Sequence, residues 1–239
     1  MPARLYIEQP LHADTLITLP PGPARHVQVL RLQPGSEITL FNGQGGEWRA
    51  TVAQMGRSEV QVQVQQHDPV DRELPHPITL AIGMPANERM DALVEKATEL
   101  GASAIQPLLT ERSVLRLSGE RAERRLAHWQ GVAVAACEQS GRTRVPSLAP
   151  VRTLAEWLRD RPPAPEGEQR CVLSPRATRT LAPITGPAVF LSGPEGGLTD
   201  SEVALAEAAG FAPLSLGPRV LRADTAPLAV LAHLALSSL

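Results

Sequence analysis

The 239-residue sequence predicts an α/β protein whose first third is almost wholly β. Three observations carry this. Residues 1 to about 72 hold short alternating runs broken by glycine-rich turns. From Ile78 onward, short apolar runs alternate with stretches of helical periodicity, the pattern of a mostly parallel sheet covered on both faces. Between them, His67 to Pro77 holds three prolines and several charges, which suits a linker. The expected domains are therefore 1–72 and 73–239.

In the first domain, Glu37 to Phe41 is a strand, Asn42-Gly43-Gln44-Gly45-Gly46 a turn, and Trp48 to Met55 a second strand. Gly56-Arg57-Ser58 turns the chain again. Glu59 to Gln65 alternates polar residues with valine, the mark of a half-buried strand. The Gly43-x-Gly45-Gly46 cluster lies in a hairpin rather than before a helix, so it reads as a turn and not a phosphate loop. Strands with few helices imply a small barrel.

In the second domain, Ile78 to Ile82 is a strand. Asn87 is expected to cap a helix in which Met90, Leu93, Val94, Ala97 and Leu100 repeat at helical spacing, and Gly101 ends it. Ile105 to Leu109 is the next strand, Ser118 to Ser140 a long helix ended by Gly141, and Thr153 to Arg159 a short helix. Arg161 to Gln169, rich in Pro and Glu, is an excursion. Cys171 to Ser174, Ala188 to Leu191 and Pro213 to Leu216 read as strands. The last helix, Ala226 to Leu239, is apolar on nearly all sides and is expected either to be buried or to form a subunit interface.

The turns after the last strands carry the chemistry. Ser192-Gly193-Pro194-Glu195-Gly196-Gly197-Leu198-Thr199 leads into a helix through a Thr199-x-x-Glu202 capping box. Leu216-Gly217-Pro218-Arg219-Val220-Leu221-Arg222-Ala223-Asp224-Thr225 leads into the last helix. Glycines there let backbone groups approach a ligand, and α/β sheets bind ligands at the carboxyl ends of their strands. The two turns read as leaving neighbouring strands. Neither is a Walker loop, since no lysine follows the glycines, and neither is a GxGxxG fingerprint.

These two turns resemble the RsmE family of S-adenosylmethionine-dependent SPOUT-class methyltransferases, which modify N3 of a uridine in 16S ribosomal RNA. Glu88-Arg89-Met90-Asp91, Glu95 to Gly101, Thr110-Glu111-Arg112-Ser113, Ala136 to Arg142, His26 and Val29-Leu30-Arg31 agree in the family's order. The family usually has Arg-Thr-Glu-Thr where this chain has Arg222-Ala223-Asp224-Thr225, and Pro227 replaces a usual Ala or Thr. The resemblance implies a PUA-like RNA-binding first domain and a SPOUT second domain with a C-terminal trefoil knot. It also implies a homodimer with active sites at its interface, and the small ribosomal subunit as partner. Cofactor contacts are then expected from Leu173 and Ser174, from Ser192, Gly193, Pro194, Glu195 and Gly196, and from Leu216, Gly217, Arg219, Val220 and Leu221. Arg222 is expected to stabilise charge on the uracil, with Asp224 or Glu195 as base or as orienter of Arg222. Arg4, Arg25, His26, Arg31, Arg112 and Arg142 are the expected RNA contacts.

Composition alone does not advertise an RNA partner. The net charge is −2; residues 1–74 carry 6 basic and 8 acidic groups, and the rest 17 of each. If RNA is the partner, positive charge must cluster in space. Of the 23 basic residues only Lys96 is lysine; Arg suits bidentate phosphate contacts, but with 23 Pro and many Ala a codon or genome bias is the stronger explanation of the preference. Cys137 and Cys171 lack metal spacing and suit buried thiols of a reducing cytosol. The histidines show no ligand spacing, so no metal is expected. The first residues do not form a signal peptide, and no apolar stretch is long enough to span a bilayer. Asp91, Glu95 and Glu99 share one helix face, read as a solvated face or as holders of arginines. A non-catalytic, dimeric RNA-binding adaptor is the alternative; the intact glycine turns speak against it.

Overall fold

The computed structural model describes residues 2–56 and 59–237, so part of the expected turn at 56–58 and the last two residues of the expected final helix lie outside it. Two compact units emerge. One comprises Met1–Glu73 with Cys137–Val145; the other comprises Leu74–Ala136 with Pro146–Leu239.

The N-terminal unit contains β1 (Ala3–Tyr6), β2 (Leu16–Thr18), α1 (Pro21–Val29), β3 (Glu37–Phe41), β4 (Glu47–Met55) and β5 (Val60–Asp68). They form one mixed sheet in the order β1-β3-β4-β5-β2, in which only β1 and β3 run parallel. The valine alternation works as the sequence suggests: Val60, Val62 and Val64 are fully buried with Leu5, Ile38 and Leu40. The glycine cluster at 43–46 joins the antiparallel pair β3–β4. Helix α1 was not legible in the sequence. It buries only Ala24 and Val27, too narrow a stripe to show as a period, and it opens on Pro21, whose fixed φ and missing N–H suit a first helical position.

Residues 137–145 complete this unit. Tyr6 N–H donates to Glu138 Oε1 at 2.9 Å, and Arg4 Nη2 donates to the carbonyls of Gly141 and Arg142 at 3.2 Å each. Arg4 also pairs with Glu47, and Arg142 with Glu73.

The second unit contains β6 (Ile78–Gly83), α2 (Asn87–Glu99), β7 (Ala104–Leu109), α3 (Gly119–Ser140), β8 (Ser147–Leu148), β9 (Arg152–Thr153), α4 (Leu154–Arg159), β10 (Gln169–Leu173), β11 (Ala188–Ser192), α5 (Asp200–Ala208), β12 (Ala212–Leu214) and α6 (Thr225–Ser237). The last turn of α3, from Cys137, belongs with the N-terminal unit. Every strand pairing is parallel, in the order β12-β10-β11-β6-β7-β8, with β9 also on β7. Strands β6, β7 and β8 progress one way across the sheet, and β10 restarts on the other side of β6 and β11. This reversal is the kind of topological switch at which α/β sheets place ligands.

Several expectations are refined. Strand β12 ends at Leu214 rather than Leu216, and β10 lies between β11 and β12, so the two glycine turns leave strands of one sheet that are not neighbours. The N-cap of α2 is Ala86, with Asn87 the first helical residue. Met90, Leu93, Val94 and Ala97 are fully buried as the period implies, and Gly101 ends the helix with φ +97°. On its exposed face Lys96 bridges Glu95 and Glu99, while Asp91 accepts from Trp129 Nε1 at 2.8 Å. Helix α6 is not wholly buried: Pro227, Val230 and Leu231 are, but Leu236 is 71% exposed. An apolar helix covered on one stripe only is half of a packing arrangement. Pro227 is its third residue, where no intrahelical donor is needed.

Candidate active site

Three consecutive parallel strands, β12, β10 and β11, end side by side, and the turns that follow them enclose a cleft of about 820 Å³. This falls in the size range of small-molecule sites, about 300–1,000 Å³. Leu173 and Ser174 line it from the β10 turn; Ser192, Gly193, Pro194 and Glu195 from the β11 turn; Leu216, Gly217, Arg219, Val220, Leu221 and Arg222 from the long turn after β12. Gly196 is not among the lining residues, and Asp224 is represented by its neighbours Ala223 and Ala226.

The β11 turn is packed to backbone contact. A Cβ on Gly193 would stand 2.7 Å from Leu198 N and 2.9 Å from the Gly197 carbonyl carbon. A Cβ on Gly83, at the end of β6, would stand 2.7 Å from Pro194 Cδ and 3.0 Å from Thr110 Cγ2. The ends of three strands thus meet around Pro194. Glu195 accepts from Ala86 N–H at 3.1 Å and from Arg89 Nη1 at 3.4 Å, so it serves the otherwise uncapped start of α2. At the far end of the turn the capping box forms: Glu202 N–H donates to Thr199 Oγ1 at 3.3 Å, and Thr199 N–H to Glu202 Oε2 at 2.9 Å.

Two buried polar atoms, Ser192 Oγ in the lining and Asp224 Oδ1 next to lining residue Ala223, have no hydrogen-bond partner among the described residues. Leaving such atoms unpaired costs about 1–3 kcal/mol each. Asp224 directly precedes α6, where an aspartate ordinarily caps the first turn, yet its Oδ1 is not so used. Both atoms are groups a ligand could satisfy. The guanidinium groups of Arg219 and Arg222 are exposed and have no ion-pair or hydrogen-bond partner among the described residues. Five arginines but only Glu195 and Asp200 among the acids line the cleft, a balance that favours an anionic substrate. Arg89, Arg176 and Asp200 were not among the sequence candidates. Arg176 reaches the cleft from the turn after β10, Arg89 and Asp200 from the starts of α2 and α5, and the ion pair Arg176–Asp200 spans residues 24 apart, a juxtaposition no local pattern encodes.

The expected RNA contacts divide. Arg25, His26 and Arg31 are exposed on α1 or just after it, and His26 Nδ1 lies 3.9 Å from Glu138 Oε2. Arg112 donates to Gly196 O at 2.8 Å on the cleft wall. Arg4 and Arg142 have side chains only 12% and 5% exposed and are held by Glu47 and Glu73, so in this structure both are struts of the N-terminal unit. Among the described residues no cluster of metal-ligating side chains is found, and no helix is long and apolar enough to cross a membrane.

A family model described as an RNA methyltransferase domain matches residues 72–235, and one described as an RNA methyltransferase PUA domain matches residues 24–65. The chain is 37% identical to the ribosomal RNA small subunit methyltransferase E of Synechocystis, over 98% of this chain and 77% of that one. The chain belongs to the ribosomal RNA small subunit methyltransferase E family. A structure of the family enzyme from Neisseria gonorrhoeae, bound to S-adenosyl methionine, is 36% identical, with a TM-score of 0.90 over 98% of this chain and 96% of that one. A methyltransferase from Legionella pneumophila, in complex with the same cofactor, is 34% identical with a TM-score of 0.92, over 99% and 98% of the two chains. Family membership accounts for the parallel sheet, its terminal cleft and the PUA-like first unit together.

Proposed function

We propose that this protein transfers the methyl group of S-adenosylmethionine to N3 of a uridine in the 16S RNA of the small ribosomal subunit. The observation that carries the reading is the cleft itself. It stands where α/β sheets bind ligands, it has an unsatisfied buried oxygen on its lining residue Ser192 and another on Asp224 beside lining residue Ala223, and it is built from the family's own motifs. Relatives at 34–36% identity hold the cofactor in the same fold, which supports placing it here.

When bound, the cofactor supplies an activated sulfonium methyl; the chain must hold the base and manage its charge. Uracil N3 carries a weakly acidic proton between two carbonyls. Arg222, exposed on the cleft and free of protein partners among the described residues, suits stabilisation of the charge that develops on those carbonyl oxygens. Asp224, with an unsatisfied buried oxygen two residues on, suits acceptance of the N3 proton or orientation of Arg222. Glu195 is engaged by Ala86 and Arg89, which favours a holding role for it. Leu173, Ser174, the 192–196 turn and the 216–221 turn would hold the cofactor, with alignment of the reacting groups supplying the largest share of the rate. The exposed side chains of Arg25 and His26 on α1 and of Arg31 just after it are the proposed RNA contacts of the first unit. The half-covered helix α6 supports a homodimer, and the knotted C-terminal passage, with residence in the cytoplasm, belongs to the same family-based reading.

The test is methylation of small ribosomal subunits from a strain lacking the gene, followed by mass-spectrometric mapping of N3-methyluridine. One new N3-methyluridine is expected. Transfer to another atom, or none from a protein that binds the cofactor, would overturn the assignment.

A further inference from the structure

The turn after β11 is fastened by the segment that follows β7. Gly197 N–H donates to Pro194 O at 2.8 Å, and Arg112 Nη1 donates to Gly196 O at 2.8 Å. The peptide group between Gly196 and Gly197 is thereby held at both ends. The stem of Arg112 lies along Gly196, so that a Cβ there would stand 3.1 Å from Arg112 Cβ. One residue earlier, Glu111 N–H donates at 2.8 Å to Glu202 Oε1, on the carboxylate that closes the α5 capping box. Glu111 and Arg112 therefore grip the same turn near its middle and at its end.

This grip matters because the gripped residues cannot stiffen themselves. Gly196 and Gly197 have no side chains, and glycine loses the most conformational freedom when a turn is fixed. A charged donor on a carbonyl is about twice as strong as a neutral one. The turn it fixes presents Gly193, Glu195 and Gly197 to the cleft.

We propose that Arg112 is a positioning residue that holds the Gly196–Gly197 peptide in its cofactor-binding conformation, rather than a contact to RNA. The proposal rests on the reading of the cleft as the S-adenosylmethionine site.

Two titrations on the full chain decide it: calorimetry with S-adenosylmethionine, and filter binding of 16S ribosomal RNA without cofactor across a salt series. Arg112→Ala is expected to weaken cofactor binding about tenfold. RNA affinity should change by less than about twofold, with an unchanged salt slope. Arg112→Lys, which keeps one charged donor for the Gly196 carbonyl, should recover most of the cofactor affinity. Unchanged cofactor affinity in Arg112→Ala would overturn the proposal, as would an RNA salt slope reduced by about one. If Arg112→Ala does not fold, Arg112→Met, which keeps a stem along Gly196 but has no donor, takes its place in both titrations. A wild-type protein that fails to bind the cofactor defeats the underlying reading instead, and the first titration shows that separately.

Discussion

Gly193 and Gly217 both sit in the cleft, but the structure gives them different reasons to be glycine. At Gly193 the reason is space. An added Cβ would meet Leu198 N at 2.7 Å, Gly197 C at 2.9 Å and Gly197 Cα at 3.1 Å, all backbone atoms. Carbon contacts settle near 3.5–4.0 Å, so the turn must open by about 0.8 Å. Its far side is the capping box of α5, which is tied in turn to Glu111. Overpacking of this kind costs about 1–3 kcal/mol. If that strain falls on the binding conformation, Gly193→Ala weakens S-adenosylmethionine binding about 5- to 150-fold. At Gly217 nothing lies within 4 Å of an added Cβ, but φ is +101°. The cost there is backbone conformation alone, about 1–2 kcal/mol, on an exposed turn able to relax. Calorimetry on both alanine variants should rank Gly193→Ala as the more damaging. Asparagine, which visits positive φ more readily, should recover part of the loss at 217 and none at 193. Recovery by Asn at 193, or a Gly217→Ala more harmful than Gly193→Ala, would refute the reasoning.

Three further outcomes are expected. Arg222→Ala should lower turnover about 100- to 1,000-fold at saturating cofactor while cofactor affinity changes far less. If Asp224 acts only by orienting Arg222, the Asp224→Asn loss should not add to it in the double variant, and additive losses would separate their roles. Glu138→Gln should raise thermal stability at pH 7.5. Burial pushes the Glu138 carboxyl above its ordinary 4.5, against the opposing Tyr6 N–H bond, His26 and Arg4. A raised carboxyl burdens the fold at pH values above its folded pKa, and the burden is gone below 4.5. The gain should therefore shrink as pH falls through the carboxylate range, and a gain equally large at pH 4 would contradict this account.

The features legible in the sequence were those that a short segment determines for itself. The valines of β5, the buried face of α2, Gly101 beyond its end and the Thr199–Glu202 capping box each depend on residues a few places apart, and each is found. Arg4 and Arg142 show the opposite case. Their guanidinium groups are engaged because Glu47 and Glu73 are brought in from 43 and 69 residues away, which no spacing rule reveals. Strand order was equally hidden, since β10 inserts between β11 and β12. The turns of the cleft could be named from their glycines; that Glu195 serves the start of α2 could not.

The N-terminal unit takes its last nine residues, Cys137–Val145, from beyond most of the first half of the other unit. During synthesis its first 73 residues emerge long before the partners they need. Tyr6 N–H waits for Glu138, Arg4 for the carbonyls of Gly141 and Arg142, and Glu73 for the Arg142 guanidinium. The unit whose chain leaves the ribosome first is thus completed only when Val145 has followed, with β6, α2, β7 and most of α3 already made, and a cleavage at residue 73 would leave both pieces with unmatched polar groups.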